Sequence, residues 1–275
     1  ERSGIGRPEL LQSMGIEVRL ANEHVGEHML DHLRTCVSYQ TQGAVTINDI
    51  VHNIPTRMLQ GAKWLFTRHG WLRTATMNTQ MTVRATPDSP RADLKLQLNA
   101  VLADMSKPGS LHFPLAKTSG LSLLNWPVYP RSRGYSHITG KQAWDHPDIF
   151  ANYLADEYDQ QVTIAGLRLG RKIASQGALK QYVLNEAFPG VNVQSDSELL
   201  AYAKGTGLTV YHPVGTCRMG KQGQGVVDSQ LRVHGVSGLR IADASIMPTL
   251  PASNTNAPSI MIGERAADWV LKAVA

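Results

Sequence analysis

Residues 210–220 read VYHPVGTCRMG, and residues 226–263 read VVDSQLRVHGVSGLRIADASIMPTLPASNTNAPSIMIG. This stretch brings three chemically distinctive features close together in the sequence. They are a histidine (His212), an aspartate after a short apolar run (Asp243), and a turn rich in asparagine. We interpret the stretch as one functional site.

The turn NTNAP at 254–258 predicts the start of a helix. Asn254, Thr255 and Asn256 carry side chains that cap helix N-termini, and Pro258 suits the first helical turn. We expect a helix that starts near residue 257 and runs to Val274. Its apolar residues recur at helical spacing and are Ile260, Ala267, Val270, Leu271 and Val274. The positive end of this helix favours an electron-rich oxygen in front of it.

The residues before this turn, LRIAD at 239–243, predict a strand that ends at Asp243. In α/β sheets, ligands lie at the C-terminal ends of the strands, which makes Asp243 a candidate cofactor or substrate position. The alternative is that its carboxylate only caps a turn. The neighbouring helix start favours the first interpretation.

On these residues the chain resembles the glucose-methanol-choline (GMC) oxidoreductases, flavoenzymes that oxidise alcohols, and most closely their choline-dehydrogenase-like branch. The resemblance covers essentially the whole chain as the C-terminal half of such an enzyme. The segments that carry it are SGIGRPELLQSMGIEV (3–18), VGEHMLDH (25–32), YPRSRG (129–134), YHPVGTCRMG (211–220) and most of 226–268.

The resemblance implies a mixed α/β (α+β) fold. Part of an FAD-binding, Rossmann-like domain would be interleaved with a substrate domain built on a large antiparallel sheet. Residues 1–35 would belong to the FAD domain and residues 36–205 mainly to the substrate-binding domain. Residues 206–275 would form the C-terminal segment of the FAD domain and carry the catalytic residues.

Local patterns predict elements within this framework. Alternating apolar residues predict a half-buried strand at 93–101, and apolar runs predict strands at 16–20, 121–128 and 135–139, the last two joined by PRSRG in one sheet. Helical spacing predicts helices at 8–14, 56–69 and 156–175. A capping box of Ser195 and Glu198 predicts a helix that continues to Lys204 and ends at Gly205.

The resemblance also assigns catalytic roles. The family's catalytic histidine matches His212, and its partner position, histidine or asparagine, matches Asn254. Oxidising an alcohol with a flavin requires removal of the hydroxyl proton and transfer of hydride to the flavin, and imidazole accepts protons in the right pH range. The Asn254 amide can hold the substrate oxygen but cannot take its proton. A single histidine without this context is more often structural.

The cofactor implied by the resemblance is FAD. Asp243 and Ala244 match the segment that lies against its ribityl and phosphate part. The start of the C-terminal helix would face the O2 edge of the isoalloxazine ring, which carries negative charge when reduced. The residues implied there are Thr255, Asn256, Ala257 and Pro258.

One stretch of the sequence matches a metal-binding pattern without the structural context that a metal site requires. His24 to His28 match the HxxEH pattern of zinc peptidases, and His32 adds a third imidazole. That pattern needs a rigid helix, and Gly26 interrupts it, so we predict no metal. The stretch instead resembles the family's VGxNLxDH loop, which runs near the flavin, with His28 in place of the usual asparagine and Met29 in place of leucine.

The composition limits the classes of partner and the location that the protein can have. The net charge is +5, but the 27 Lys and Arg residues are scattered without a basic run, which argues against nucleic acid. Cys36 and Cys217 are far apart and make no CxxC spacing. No long apolar run is present. We expect a cytoplasmic or peripherally membrane-associated protein.

The sequence begins inside a family motif, and Gly4-Ile5-Gly6 is not a dinucleotide loop, because no strand precedes it and the third glycine is absent. We therefore expect the partner to be the N-terminal half of the same flavoenzyme, which carries the Gly-rich FAD loop. The other ligands implied are a small alcohol and an electron acceptor, either oxygen or a quinone or dye. Two alternatives stay open: an FAD-containing enzyme like the hydroxynitrile lyases, and a non-catalytic flavin-binding half of a larger assembly.

Overall fold

The computed structural model of this chain describes residues 1–73, 79–110 and 112–274. These residues form two compact units. The first unit comprises Glu1–His32, Val128–Asp159 and Thr209–Ala275, and the second comprises Leu33–Pro127 and Gln160–Leu208. The assignment of residues 1–35, 36–205 and 206–275 to FAD-binding and substrate-binding domains stays a prediction.

The described residues form ten strands and seven α-helices. The strands are β1 (Ile5–Gly6), β2 (Leu20–Ala21), β3 (Leu33–Thr41), β4 (Thr79–Val83), β5 (Leu94–Asn99), β6 (Gly120–Pro127), β7 (Tyr135–His137), β8 (Asp148–Phe150), β9 (Val183–Phe188) and β10 (Leu208–Thr209). The helices are α1 (Pro8–Ser13), α2 (Ile47–His52), α3 (Ile54–Thr67), α4 (Glu157–Ala174), α5 (Gly177–Lys180), α6 (Asp196–Thr206) and α7 (Asn256–Val274).

A large antiparallel sheet is the framework of the second unit. Its order is β10-β3-β6-β5-β4, and β9 also pairs with β3. Strands β3 and β6 are antiparallel and mostly buried, because apolar side chains cover them. The core formed there contains Val37, Tyr39, Leu121, Leu123, Ile164, Leu167, Ala174 and Leu199. The mixed α/β fold with a large antiparallel sheet is thereby confirmed.

Several element predictions are confirmed. Strands β5 and β6 occupy the two predicted regions, and α1 and α4 occupy theirs. The Asp156 carboxylate caps α4 by accepting a hydrogen bond from Tyr158 N–H at 2.9 Å. The Ser195 and Glu198 capping box opens α6, although that helix continues through Gly205 to Thr206.

Three predicted elements differ from the structure. Strand β7 does not share a sheet with β6 but pairs with β8 inside the first unit. The expected strand at 16–20 reduces to β2, which pairs with β1 in parallel. Helix α3 ends at Thr67 because Arg68 adopts a left-handed conformation, before Gly70 is reached.

The first unit has a separate core, to which α7 contributes. That core contains Val25, Leu30, Val214, Val226, Val227, Leu231, Val233, Ile246, Met247, Leu250, Ile262 and Ala266. Helix α7 starts one residue before the predicted position, but the predicted apolar stripe is not the face that packs. Ile260 and Leu271 are exposed, whereas Ile262, Ala266 and the half-buried Trp269 meet the core. Apolar residues lie on two faces of this helix, and helical spacing alone does not rank them.

In the described part of the chain, none of the helices combines the length and the apolar character needed to cross a bilayer.

Candidate active site

His212 lies in the interior of the first unit, next to a second histidine. Its side chain is buried, and its Nδ1 lies 3.0 Å from Nδ1 of His32. The two rings meet edge to face, with centroids 5.3 Å apart and planes at 82°. His32 Nε2 in turn lies 3.0 Å from the carbonyl oxygen of Val128. The imidazole of His212 is therefore held in one orientation by a chain of hydrogen bonds.

The carboxylate of Asp31 binds the backbone of both histidines of this pair. Its Oδ1 accepts hydrogen bonds from His32 N–H at 2.8 Å and from His212 N–H at 2.9 Å. Its Oδ2 accepts hydrogen bonds from the hydroxyls of Tyr153 and Thr209. Asp31 is buried, and these four donors offset the cost of removing a charged carboxylate from water.

Tyr153 responds to this environment. Burial raises the pKa of its phenol, and the neighbouring Asp31 carboxylate raises it further. The phenol therefore stays protonated and keeps donating to Asp31 at physiological pH. The motif that carries His212 is anchored by a neutral donor rather than by an ion pair.

The segment after Asp243 lies beside the His212 motif. Cys217 N–H donates to the Ser245 carbonyl at 3.0 Å, and Met219 N–H donates to the Ile246 carbonyl at 2.8 Å. These backbone bonds tie residues 217–219 to the 3₁₀ turn at Ala244–Ile246. The two sequence motifs therefore belong to one folded region of the first unit.

The prediction of a strand that ends at Asp243 is wrong. Residues 239–243 form only an isolated bridge, between Arg240 and Arg232. Asp243 is exposed, and its Oδ1 accepts a hydrogen bond from Ser245 N–H at 2.7 Å. In the described structure this carboxylate caps the 3₁₀ turn, which is the alternative that the sequence left open. Ala244, the next predicted cofactor residue, is half-buried.

The start of α7 is open to solvent. Asn254, Asn256 and Ala257 are exposed, and Thr255 and Pro258 are half-buried. The Thr255 carbonyl accepts the N–H of Ser259 at 3.0 Å, which closes the first turn. This turn contains no acidic residue, so no carboxylate of its own offsets the positive end of the helix.

Comparison with known proteins shows which family this arrangement resembles. The family described as GMC oxidoreductase matches residues 130–263, a range that holds the His212 motif and the start of α7. Over these residues the chain is similar to the GMC oxidoreductases. The range also contains both candidate catalytic residues, His212 and Asn254.

Two curated relatives and one solved structure show how far the similarity extends. An alcohol dehydrogenase [acceptor] from Pseudomonas putida is 34% identical over 99% of this chain and 48% of the relative. An oxygen-dependent choline dehydrogenase from Chromohalobacter salexigens is 34% identical over 98% of this chain and 47% of the relative. The crystal structure of pyridoxine 4-oxidase from Mesorbium loti is 27% identical, with a TM-score of 0.79 over 98% of this chain and 48% of that one. The chain spans about half the length of the curated relatives it matches.

GMC oxidoreductases are FAD-dependent, and two features of this chain fit such a ligand. The first is the exposed start of α7, whose first N–H groups have no acceptor within the helix. The second is Arg218, whose Nε is buried and has no hydrogen-bond partner among the described residues. Both features are donors suited to negatively charged or carbonyl oxygens, which FAD carries.

The loop that resembles the family's VGxNLxDH sequence is not helical. His24 Nδ1 lies 3.0 Å from His28 Nε2, and Gly26 has a positive φ of 83°. Burial lowers the pKa of His28, and the positive charge of Arg218 lowers it further. Within the ranges that the structure describes, no group of three or more His, Cys, Asp or Glu side chains could hold a metal ion.

Sequence reasoning missed Asp31, Tyr153 and Thr209, and considered His32 only as a metal ligand. The available signal was the Asp-His pair that closes VGEHMLDH. Nothing local to that pair indicates its partner, because His212 lies 180 residues further along the chain.

Proposed function

We propose that this chain is the C-terminal half of an FAD-dependent alcohol dehydrogenase or oxidase. His212 is the group that accepts the hydroxyl proton or stabilises the alkoxide, and Asn254 is its partner. The observation that carries the proposal is the buried, oriented imidazole of His212, held by His32 and by the Asp31 carboxylate. A proton acceptor contributes most to a reaction when its orientation is set before substrate arrives.

The proposed reaction converts an alcohol to an aldehyde or ketone. The hydroxyl proton of the alcohol passes to the imidazole of His212, and the Asn254 amide donates a hydrogen bond to the same oxygen. When bound, FAD supplies the acceptor for the hydride that leaves the alcohol carbon with both bonding electrons, and oxygen or a quinone or dye then takes those electrons.

The remaining site residues are proposed to hold the cofactor. Asp243 and Ala244 would lie against its ribityl and phosphate part. Thr255, Asn256, Ala257 and Pro258 would place the positive end of α7 at the O2 edge of the flavin ring. The Gly-rich phosphate loop would come from the N-terminal half of the same flavoenzyme. This chain together with that half is called the assembled protein below.

The test is anaerobic reduction of the flavin in the assembled protein by a series of small alcohols. We expect His212→Ala to slow reduction by about 10² to 10⁴-fold while FAD stays bound. Asn254→Ala should slow flavin reduction less than His212→Ala does, since it removes one hydrogen bond and no proton acceptor. His146→Ala, at an exposed histidine, is the matched control.

The same experiment separates the alternatives. A His212→Ala variant that reduces its flavin at the wild-type rate would make this histidine structural. Conversion of a cyanohydrin without any bleaching of the flavin would favour a lyase. An assembled protein that binds FAD but neither bleaches nor turns over substrate would favour a non-catalytic flavin-binding half.

We also propose that the protein is peripherally associated with anionic membranes through α3. No residue of this helix is buried, and four of its apolar residues, Met58, Leu59, Leu65 and Phe66, are exposed by more than half. Arg57 and Lys63 flank that apolar face, and the sequence from 50 to 87 contains no Asp or Glu. An exposed apolar face with basic borders is the arrangement of interfacial helices on anionic lipid.

Sedimentation of the assembled protein with vesicles tests this location. We expect binding to vesicles of phosphatidylglycerol and phosphatidylcholine, little binding to phosphatidylcholine alone, and loss of binding in a Met58→Ser, Phe66→Ser double variant. Val191→Ser, at an exposed apolar residue outside α3, is the control. Absence of binding to both vesicle types would overturn the proposal and would leave the N-terminal half as the cover for this face.

A further inference from the structure

His32 is hydrogen-bonded to His212 and has so far been described only as part of the fold. We infer that His32 is a positioning residue that holds His212 as the tautomer with its proton on Nδ1, so that Nε2 is the atom that receives the substrate proton. The part concerning the substrate rests on the function proposed above. The tautomer itself follows from the geometry of the pair.

The carbonyl oxygen of Val128 can only accept a hydrogen bond, so His32 Nε2, at 3.0 Å from it, must carry a proton. A neutral His32 ring then has its lone pair on Nδ1. The Nδ1 of His212 lies 3.0 Å from that lone pair and must donate to it. A neutral His212 ring therefore has its own lone pair on Nε2.

The same chain of bonds keeps the positive charge on one ring. If His212 gains a proton at Nε2, its Nδ1–H still donates to the Nδ1 of neutral His32. If both rings were protonated, two N–H groups would face each other across 3.0 Å, which is repulsive. The pair therefore takes up a single proton, and Nε2 of His212 is the position at which the arrangement of the neutral pair accepts it.

The buried carboxylate of Asp31 supports this division of labour. It accepts hydrogen bonds from the backbone N–H groups of both histidines, so the main chain that carries the two rings is held at one carboxylate oxygen. Tyr153 is the other titratable side chain bonded to this carboxylate, and its phenol stays neutral because burial and Asp31 raise its pKa.

The direct test is the tautomer of His212 in the assembled protein. This chain, with its ten histidines labelled with ¹⁵N, is combined with an unlabelled N-terminal half, and ring nitrogens are observed by long-range ¹H–¹⁵N correlation. His212 is assigned from the resonances that disappear in His212→Ala. We expect a protonated Nδ1 and an unprotonated Nε2 on His212, and the opposite arrangement on His32. A protonated Nε2 on neutral His212 would overturn the inference.

A pair of substitutions tests the role of His32. His32→Leu removes the acceptor for His212 Nδ1–H, whereas His32→Asn offers an amide oxygen near the same position. We expect His32→Leu to lose the Nδ1–H tautomer and to slow flavin reduction on the order of 10-fold, with an altered pH profile and with substrate binding little changed. His32→Asn should restore most of both properties.

The outcomes separate this inference from the proposed function. If the tautomer is as expected but His212→Ala reduces its flavin at the wild-type rate, the catalytic proposal fails and the pair is a structural device. If His212→Ala is slow but His32→Leu keeps both the tautomer and the pH profile of the wild type, His212 is catalytic and the positioning role of His32 is overturned. A His32→Leu variant that does not fold leaves the tautomer spectrum of the wild type and the His32→Asn variant to decide.

Discussion

His28 combines an unfavourable backbone conformation with a shifted pKa. It has a positive φ of 64°, a conformation that asparagine tolerates better than most residues. The family sequence that this loop resembles has asparagine at this position. His28 also contacts His24 and feels the charge of Arg218. The substitution therefore places a titratable ring where the backbone prefers a small amide.

We predict that His28→Asn makes the assembled protein less sensitive to mild acid. Burial and Arg218 lower the folded-state pKa of His28 below its ordinary value of 6.5. Between that lowered pKa and 6.5 the unfolded chain binds more protons, so the free energy of unfolding falls as the pH decreases through this window. Differential scanning calorimetry at about pH 7.5 and about pH 5.5 measures the effect.

The control for this substitution is His146→Asn, at an exposed histidine outside the loop. His28→Asn should lose less stability than the wild type on acidification, and His146→Asn should behave as the wild type does. Equal acid sensitivity in wild type and His28→Asn would show that the charge of His28 is not what destabilises the fold.

At the scale of elements, α4 packs on the large sheet through a glycine. A Cβ added to Gly166 would lie 2.4 Å from the Asn125 side-chain oxygen and 2.9 Å from Leu94 Cδ1. Asn125 is fully buried and accepts a hydrogen bond from the Thr35 hydroxyl at 3.1 Å. Asn125 therefore has little room to move, and the glycine sets how closely helix and sheet approach.

We predict opposite effects for two alanine substitutions in α4. Gly166→Ala should destabilise the protein by about 1 to 3 kcal/mol, because it overpacks a buried contact. Gly170→Ala should be neutral or stabilising by up to about 1 kcal/mol, since alanine favours helix. Its nearest neighbour, Val37 Cγ2, would lie at an ordinary 3.5 Å. Urea unfolding of both variants gives the comparison, and equal stabilities would contradict this packing.

For the molecule as a whole, the relevant fact is that the chain spans about half the length of the curated relatives it matches. The start of α7 and the Arg218 guanidinium are donors that fit FAD, whereas the sequence contains no Gly-rich dinucleotide loop of the kind that binds a pyrophosphate.

We predict that residues 1–275 expressed alone bind FAD weakly or not at all and are poorly soluble. Addition of the N-terminal half should restore tight binding, because the Gly-rich loop then supplies the phosphate contacts. A flavin fluorescence titration of the chain, with and without that half, makes the measurement. Tight binding by the isolated chain would show that α7 and its surroundings suffice.

Features that depend on neighbouring residues could be predicted from the sequence alone. The helix start at Asn256, the Ser195 and Glu198 capping box, and strands β5 and β6 arise from side chains within a few positions of each other. The family resemblance, which the comparisons confirm, likewise rests on contiguous motifs.

Features that depend on partners far along the chain could be read only from the folded protein. The packed face of α7 was decided by the core formed with Val214 and Leu30, because both faces of the helix carry apolar residues. The segment before Asp243 is not a strand, because a strand exists only where a neighbour completes its hydrogen bonds. The pairing of His32 with His212 joins residues 180 positions apart, and no local pattern encodes which distant ring will complete a hydrogen bond.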